Sequence, residues 1–241
     1  ALVSYRPNAR WQWNWLSHAG QNILAVIPSN RETVFGTVKN ALQLRVYFDG
    51  QEAMRFANAT HGTSLVYRPH ARMILTQSAS YYSGNEQERI DVESAWLLNQ
   101  LDANLGSENF GNVLFTRGVG AFQQYARNRL WIGVGALEHR GQWQSLGGQH
   151  LSSWGLKVQE ENIQEVLWEY TLVDSLGFSL PSQRENDSAV QVFRFVSADQ
   201  AMRSRRWSAY VQDQIRLDEK GRWRLNLGLR VQSWSWNRET V

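Results

Sequence analysis

Apolar residues recur at every second position in several stretches of this chain, a period that places them on one face of a β-strand. The clearest case starts at Arg206. Trp207, Ala209, Val211, Asp213, Ile215 and Leu217 alternate with Arg206, Ser208, Tyr210, Gln212, Gln214 and Arg216. After Asp218-Glu219-Lys220-Gly221, Trp223, Leu225, Leu227, Leu229 and Val231 alternate with Arg222, Arg224, Asn226, Gly228, Arg230 and Gln232. Two alternating arms around a short turn predict a β-hairpin. A second hairpin runs from Arg127, with Leu130, Ile132, Val134 and Ala136 opposed to Arg129, Trp131, Gly133 and Gly135. It returns through His150 to Gln159, where Trp154, Leu156 and Val158 alternate with Ser153, Lys157 and Gln159. Two of the four prolines sit in matching settings, Tyr5-Arg6-Pro7-Asn8-Ala9-Arg10 and Tyr67-Arg68-Pro69-His70-Ala71-Arg72. Proline fixes φ and lacks a donor, so each marks a tight turn between strands.

The pattern predicts an all-β, antiparallel fold with about eight strands in four hairpins. Turns fall near 6–9, 69–71, 140–149 and 218–221, with long polar stretches near 20–60, 84–125 and 160–203. Loops of that length are unusual inside a compact soluble domain. Short turns at one end and long loops at the other are the asymmetry of a transmembrane β-barrel. Residues 1–241 are therefore expected to be a β-barrel segment whose long stretches are extracellular loops. Within the first stretch, Leu42 to Phe48 and Gln51 to Phe56 flank Asp49-Gly50 and read as a further hairpin. Asn162 to Val173 fits a helical stripe and a strand equally well.

Composition agrees once the alternation is known. The mean hydropathy of −0.48 suggests a soluble chain. A barrel also keeps a low average, because half of each strand faces a polar lumen. No apolar run approaches the roughly 18 residues of a membrane helix. The absence of cysteine excludes disulfides, thiolate zinc and a cysteine nucleophile, and a net charge of +3 is too mild to argue for nucleic acid. The beginning at Ala1-Leu2-Val3-Ser4-Tyr5 lacks the basic and apolar regions of a signal peptide. Both ends read as interrupted strands.

No catalytic motif is present, and the chain is not expected to be an enzyme. Gly118-Val119-Gly120 and Gly133-Val134-Gly135 lack the third glycine of a dinucleotide loop and read as sites of close strand packing. Glu86, Glu88, Asp91 and Glu93 could offer oxygen ligands to a hard cation, but a solvated face is the better reading. His139 and His150 flank one turn and could form a metal pair, though ordinary turn histidines read better, and no metal or cofactor is expected. Arg203-Ser204-Arg205-Arg206 could meet anionic lipid headgroups or a phosphate-bearing ligand, but solvated charge at an outer strand end is the better reading. Lumen-facing candidates are Arg129, Trp131, Arg206, Tyr210, Gln212, Arg224 and Arg230. Trp11, Trp13, Trp15, Trp207, Trp223 and Trp234 are candidates for the interfacial girdle of the membrane.

The run Thr60-His61-Gly62-Thr63-Ser64-Leu65-Val66-Tyr67-Arg68-Pro69, a strand, and then Asn85-Glu86-Gln87-Glu88-Arg89-Ile90-Asp91-Val92 resembles TonB-dependent outer-membrane receptors of Bacteroidetes type. Members of that group often carry a carboxypeptidase-like regulatory domain. Arg31 to Thr37, Val46 to Glu52, Trp154 to Lys157, Asp174 to Pro181 and Ala209 to Asp213 extend the likeness in the same order. The resemblance implies a barrel of 22 strands around a plug, energised through TonB and taking up a siderophore, glycan, peptide or similar nutrient across the outer membrane. The implied partners are outer-membrane lipid, the plug and remaining barrel strands, the TonB complex reached through the plug, and a surface lipoprotein, with no nucleic acid. On this reading the chain is a barrel fragment or part of a longer protein. Two other readings compete. One is a soluble glycan-binding β-sandwich stacking sugars on Trp11, Trp13, Trp15, Trp234 and Trp236. The other is a small outer-membrane barrel serving as an adhesin or anchor.

Overall fold

The computed structural model describes residues 1–37, 39–174, 191–220, 222–236 and 239–240. They form ten strands: β1 (Leu2–Tyr5), β2 (Trp11–Val26), β3 (Arg31–Thr37), β4 (Asn40–His70), β5 (Met73–Leu101), β6 (Val113–Gln144), β7 (His150–Asp174), β8 (Gln191–Arg216), β9 (Arg224–Trp234) and β10 (Glu239–Thr240). All lie in one antiparallel sheet, ordered β1-β2-β4-β5-β6-β7-β8-β9-β10, with β3 beside β4. The soluble sandwich is thereby set aside, since it needs two packed sheets and the described residues form one.

Strand β3 continues β2. Val26 pairs with Glu52, and after a break at 27–30 Arg31 pairs with Val46. Pro28 within the break has no N–H to give the ladder, and Asn30 Oδ1 accepts the Phe48 N–H at 2.7 Å. Across from the break, Gly50 has φ 93°, and a Cβ there would lie 1.9 Å from the Asp91 carbonyl oxygen. Asp49-Gly50, expected as a turn, is therefore interior to β4. Its glycine supplies a left-handed backbone inside a continuous strand. The chain reverses instead between Thr37 and Asn40, which pair with each other.

The stretches near 20–60, 84–125 and 160–203, expected as loops, are mostly strand. Asn162 to Val173 is strand as well. Residues 175–190, which include nearly all of the Asp174 to Pro181 piece, lie outside the described residues. The stretches expected as loops are strand because the strands are long. Strand β4 has 31 residues, about 100 Å at about 3.3 Å per residue, whereas about 10 residues cross a bilayer. On the barrel expectation most of β4 would thus stand clear of a membrane, where neither face must be uniformly apolar. The hydropathy alternation fades there while the ladder bonds persist.

Reversals at 7–10, 71–72 and 145–149 gather at one end of the sheet, together with the β8–β9 connection. Strand β6 runs to Gln144, so the reversal expected across 140–149 is confined to its last part. Gly221 of the β8–β9 turn lies outside the described residues. At the other end, the β5–β6 loop is closed by Asp102 N–H donating to Asn112 O and Gly111 N–H to Asp102 O, both at 2.9 Å. Near that end, a polar ladder crosses four strands. Thr116 Oγ1 donates to Asn99 Oδ1, Asn99 Nδ2 to Gln43 Oε1, and Gln43 Nε2 to Glu32. Asn99 and Gln43 are buried, so each needs these partners. Glu32 also accepts from Arg45 Nε at 2.9 Å, and that bond raises the guanidinium pKa further.

Candidate functional site

Successive residues of a strand point to opposite faces, so the pairing register assigns every side chain to one of two surfaces. Near the short-turn end, one face gathers Trp13, Leu65, Gln77, His139, Leu156, Ala209 and Val231 in a single row. The next row outward holds Trp15, Thr63, Ala79, Leu137, Val158 and Trp207. This belt is openly apolar: Leu137 is 65% exposed and Leu229 73%. Contiguous apolar exposure on that scale calls for a non-aqueous environment. Its polar members satisfy one another. His139 Nδ1 contacts Gln77 Nε2 at 2.7 Å and His139 Nε2 accepts Trp154 Nε1–H at 3.1 Å, while Trp13 Nε1–H donates to Thr63 Oγ1 at 2.7 Å.

Charged groups bound the belt on both sides. On the turn side Asp213 meets His150 Nδ1 at 2.7 Å and accepts Ser152 Oγ–H at 2.9 Å. On the far side Glu160 accepts Arg203 Nη2 at 2.6 Å and Arg205 Nε at 2.8 Å. Arg205 and Asp213 are eight residues apart on one strand, about 26 Å at about 3.3 Å per residue. At the tilt of about 35–45° of barrel strands that is about 20 Å of height, close to the apolar band of about 25 Å on outer-membrane barrels.

The opposite face is polar at the same depth, with Gln12, Asn14, Ser64, Ser78, Arg140, Gln142, Lys157 and Gln159 on it. Arg206, Tyr210, Gln212, Arg224 and Arg230 all lie on this face, Tyr210 beside Arg230 and Gln212 beside Gly228. Arg206 stacks on the Trp234 ring at 4.2 Å and reaches Glu161 at 3.3 Å. Tyr210 lies across its neighbour strand at Gly155, where an added Cβ would be 2.3 Å from the ring.

Three sequence assignments change face. Arg129 and Trp131 share the belt's face, not that of Arg206, and they sit beyond the belt. Trp234, grouped with the girdle, is on the polar face against Arg206. Trp11, Trp13, Trp15 and Trp207 do share the apolar face, with Trp11 stacked on Tyr67 at 4.1 Å. Trp223 precedes β9 and is exposed. The error on β6 has a definite origin. Within the belt, the odd residues Leu137 and Trp143 face outward with the other apolar side chains. Past it, the even residues Leu130, Ile132 and Val134 are the apolar ones, beside Ile163 and Glu165. The alternation inverts where the sheet leaves the belt, and residues 129–136 span that inversion.

The register also divides the acidic cluster. Glu86 and Glu88 project from one face, Asp91 and Glu93 from the other. Among the described residues no three His, Asp or Glu side chains converge to hold a metal. Asn128 Nδ2 donates to Glu88 and Glu169, both at 2.6 Å, tying three strands together. This contact was not legible in sequence, since its members are about 40 residues apart. Outside the belt, Ser107 and the Asn104 N–H hold the Asp102 carboxyl below its usual pKa. The Trp223 N–H and Arg222 do the same for Asp218 at the β8–β9 turn.

The model of the family described as TonB dependent receptor-like, beta-barrel matches residues 4–240. No curated protein matches the chain.

Proposed function

The chain belongs to the TonB-dependent receptor β-barrel family, and from that premise we propose that it walls an energised nutrient-uptake channel. Membership makes it an outer-membrane protein of a family of receptors and transporters, not of enzymes. The observation that carries the finer reading is the difference between the two faces at one depth. A belt bounded by Asp213 and Glu160 suits lipid, and a face of Gln, Asn, Ser and Arg suits a hydrated lumen. Arg206, Tyr210, Gln212, Arg224 and Arg230 then line the lumen, against a plug or a passing solute. The sheet edges at β1 and β9 meet partner strands, because hydrocarbon leaves no unpaired edge satisfied. TonB acting through the plug and a lipoprotein capping the surface complete the proposed machinery. The substrate is a siderophore, glycan, peptide or similar nutrient, the lumen face favouring a polar one.

The test is uptake by cells that carry or lack the gene, with and without a protonophore. Substrate entry that needs the gene and stops when the proton-motive force collapses is the expected result. Entry that persists after collapse would make the barrel a passive pore. Unimpaired nutrient entry in the deletion strain would favour the anchor reading.

A further inference from the structure

On the belt face, where the apolar surface meets the first charges, there is a shallow hollow of about 670 Å³. Its floor is made of residues with little or no side chain, Gly62, Ala79 and Gly135, and its walls include Trp15, Leu137 and Val158. The floor is open space: a Cβ on Gly135 would find its nearest neighbour at 3.9 Å. Its lining is mainly apolar, with Trp13, Trp15, Leu137 and Val158, so an apolar group fits it and gains dispersion contacts there. Glu160 stands on its rim and gathers Arg203 and Arg205, whose side chains are 61% and 65% exposed. Farther from the belt on the same face come Arg129, Arg127 and Arg89. Arg127 is occupied by Asp91 at 2.7 Å, while Arg89 and Arg129 are exposed. Along the strands the order is therefore apolar hollow, paired arginines around one carboxylate, then further arginine.

That order is complementary to one anionic lipid standing in the leaflet beyond the belt. We propose that the hollow and the arginines at its rim form a binding site for a phosphate-bearing lipid of that leaflet. An acyl chain lies over Gly62, Ala79 and Gly135, and the phosphate faces Arg203 and Arg205. Glu160 holds the two guanidinium groups side by side and leaves one net positive charge for the phosphate. Arg129 and Arg89 lie about 20 and 26 Å farther along the strands at about 3.3 Å per residue, outside the reach of the same phosphate. The site faces lipid, not lumen, so it is separate from the transport path.

The full-length receptor in neutral detergent, offered phosphatidylglycerol or phosphatidylcholine, tests this when retained lipid is counted by native mass spectrometry. Phosphatidylglycerol should be retained in preference. Arg203→Gln and Arg205→Gln should each reduce that preference about fivefold, the effect of one cation at an anionic surface. Gly135→Leu should release both lipids by filling the hollow. Lys157→Gln, on the opposite face, should leave the preference unchanged, and retained heat-modifiable mobility on gels certifies that each variant is folded. Equal retention of the two lipids by the unaltered protein overturns the proposal, as does an undiminished preference in the arginine variants. Loss of preference in Lys157→Gln would reveal an unspecific charge effect and overturn it too. Displacement of the lipid by millimolar inorganic phosphate would assign the arginines to free phosphate instead. Uptake should be unchanged in the Arg203 variant, which keeps this proposal separable from the transport reading.

Discussion

Leu156→Arg is the substitution that most directly tests the assignment of faces. Leu156 is half exposed and stands between His139 and Ala209 in the middle row of the belt. Glu160 lies four residues along its own strand, and Asp213 lies four beyond Ala209 on the next. Each is therefore about 13 Å away at about 3.3 Å per residue. An arginine at 156 reaches neither carboxylate without leaving its rotamer wells, so it stays in hydrocarbon. The expected cost is about 2–4 kcal/mol, the range for arginine near the midplane of a barrel. At about 1.4 kcal/mol per decade that is a loss of roughly 30- to 700-fold in the insertion equilibrium. Ser153→Arg, on the polar face among Gln142 and Gln212, should cost close to nothing. Leu227→Arg makes a third point. Leu227 lies directly opposite Asp213, so its arginine finds a carboxylate at the belt's edge and should cost about 0–1 kcal/mol. Reversible urea titration of the receptor refolding into phosphatidylcholine vesicles, followed by gel mobility, measures all three. Equal costs for Leu156→Arg and Ser153→Arg would refute the two-faced reading. A cost for Leu227→Arg as large as that for Leu156→Arg would refute the belt's boundary at Asp213.

Two further outcomes follow from local geometry. Gly155→Ala should destabilise the barrel by about 1–3 kcal/mol in the same titration, because its Cβ would meet the Tyr210 ring at 2.3 Å, whereas Gly135→Ala, with open space above it, should be neutral. The Asp102 carboxyl, lowered by Ser107 and the Asn104 N–H, contributes order to the β5–β6 loop only while ionised. That contribution is present above the unfolded pKa of about 3.9 and is lost as pH falls through the lower folded value. Amide exchange across 102–112 should accordingly stay slow at pH 4 and rise only below the ordinary aspartate range. An onset above pH 4 would contradict it.

The membrane part of the fold was legible because a bilayer forces alternation onto every strand that crosses it. Trp207 to Ile215 and Leu225 to Val231 carry that signal plainly, and the register puts both on one face. Outside the bilayer the same backbone pairing continues without the constraint. Glu86 to Glu93 therefore looked like loop, and Asn162 to Val173 fitted helix and strand alike. Asp49-Gly50 was misread for a related reason. The dipeptide that favours a turn also suits a strand interrupted by Pro28 on its neighbour. Face assignment failed at Arg129, Trp131 and Trp234, which lie beyond the belt or at its edge. The clamp of Asn128 on Glu88 and Glu169 depends on register between distant strands, which no local pattern carries.

The aromatic rings laid over glycines have a consequence for assembly. Trp96 covers Gly120 on the β5–β6 ladder, Trp154 covers Gly141 on β6–β7, and Tyr210 covers Gly155 on β7–β8. A slip of one residue turns a strand inside out and is rejected by the faces. A slip of two keeps the faces and would pass that check. It would, however, drive Tyr210 onto Ser153 or Lys157, and Trp154 onto Trp143 or His139. The β6–β7 and β7–β8 ladders thus each carry their own peg and hole, while on β5–β6 Trp96 is blocked toward Phe122 but would find a second glycine at Gly118. Long hairpins that pair only with their sequence neighbours can close one after another, each pegged ladder locked at the right rung before the next strand arrives.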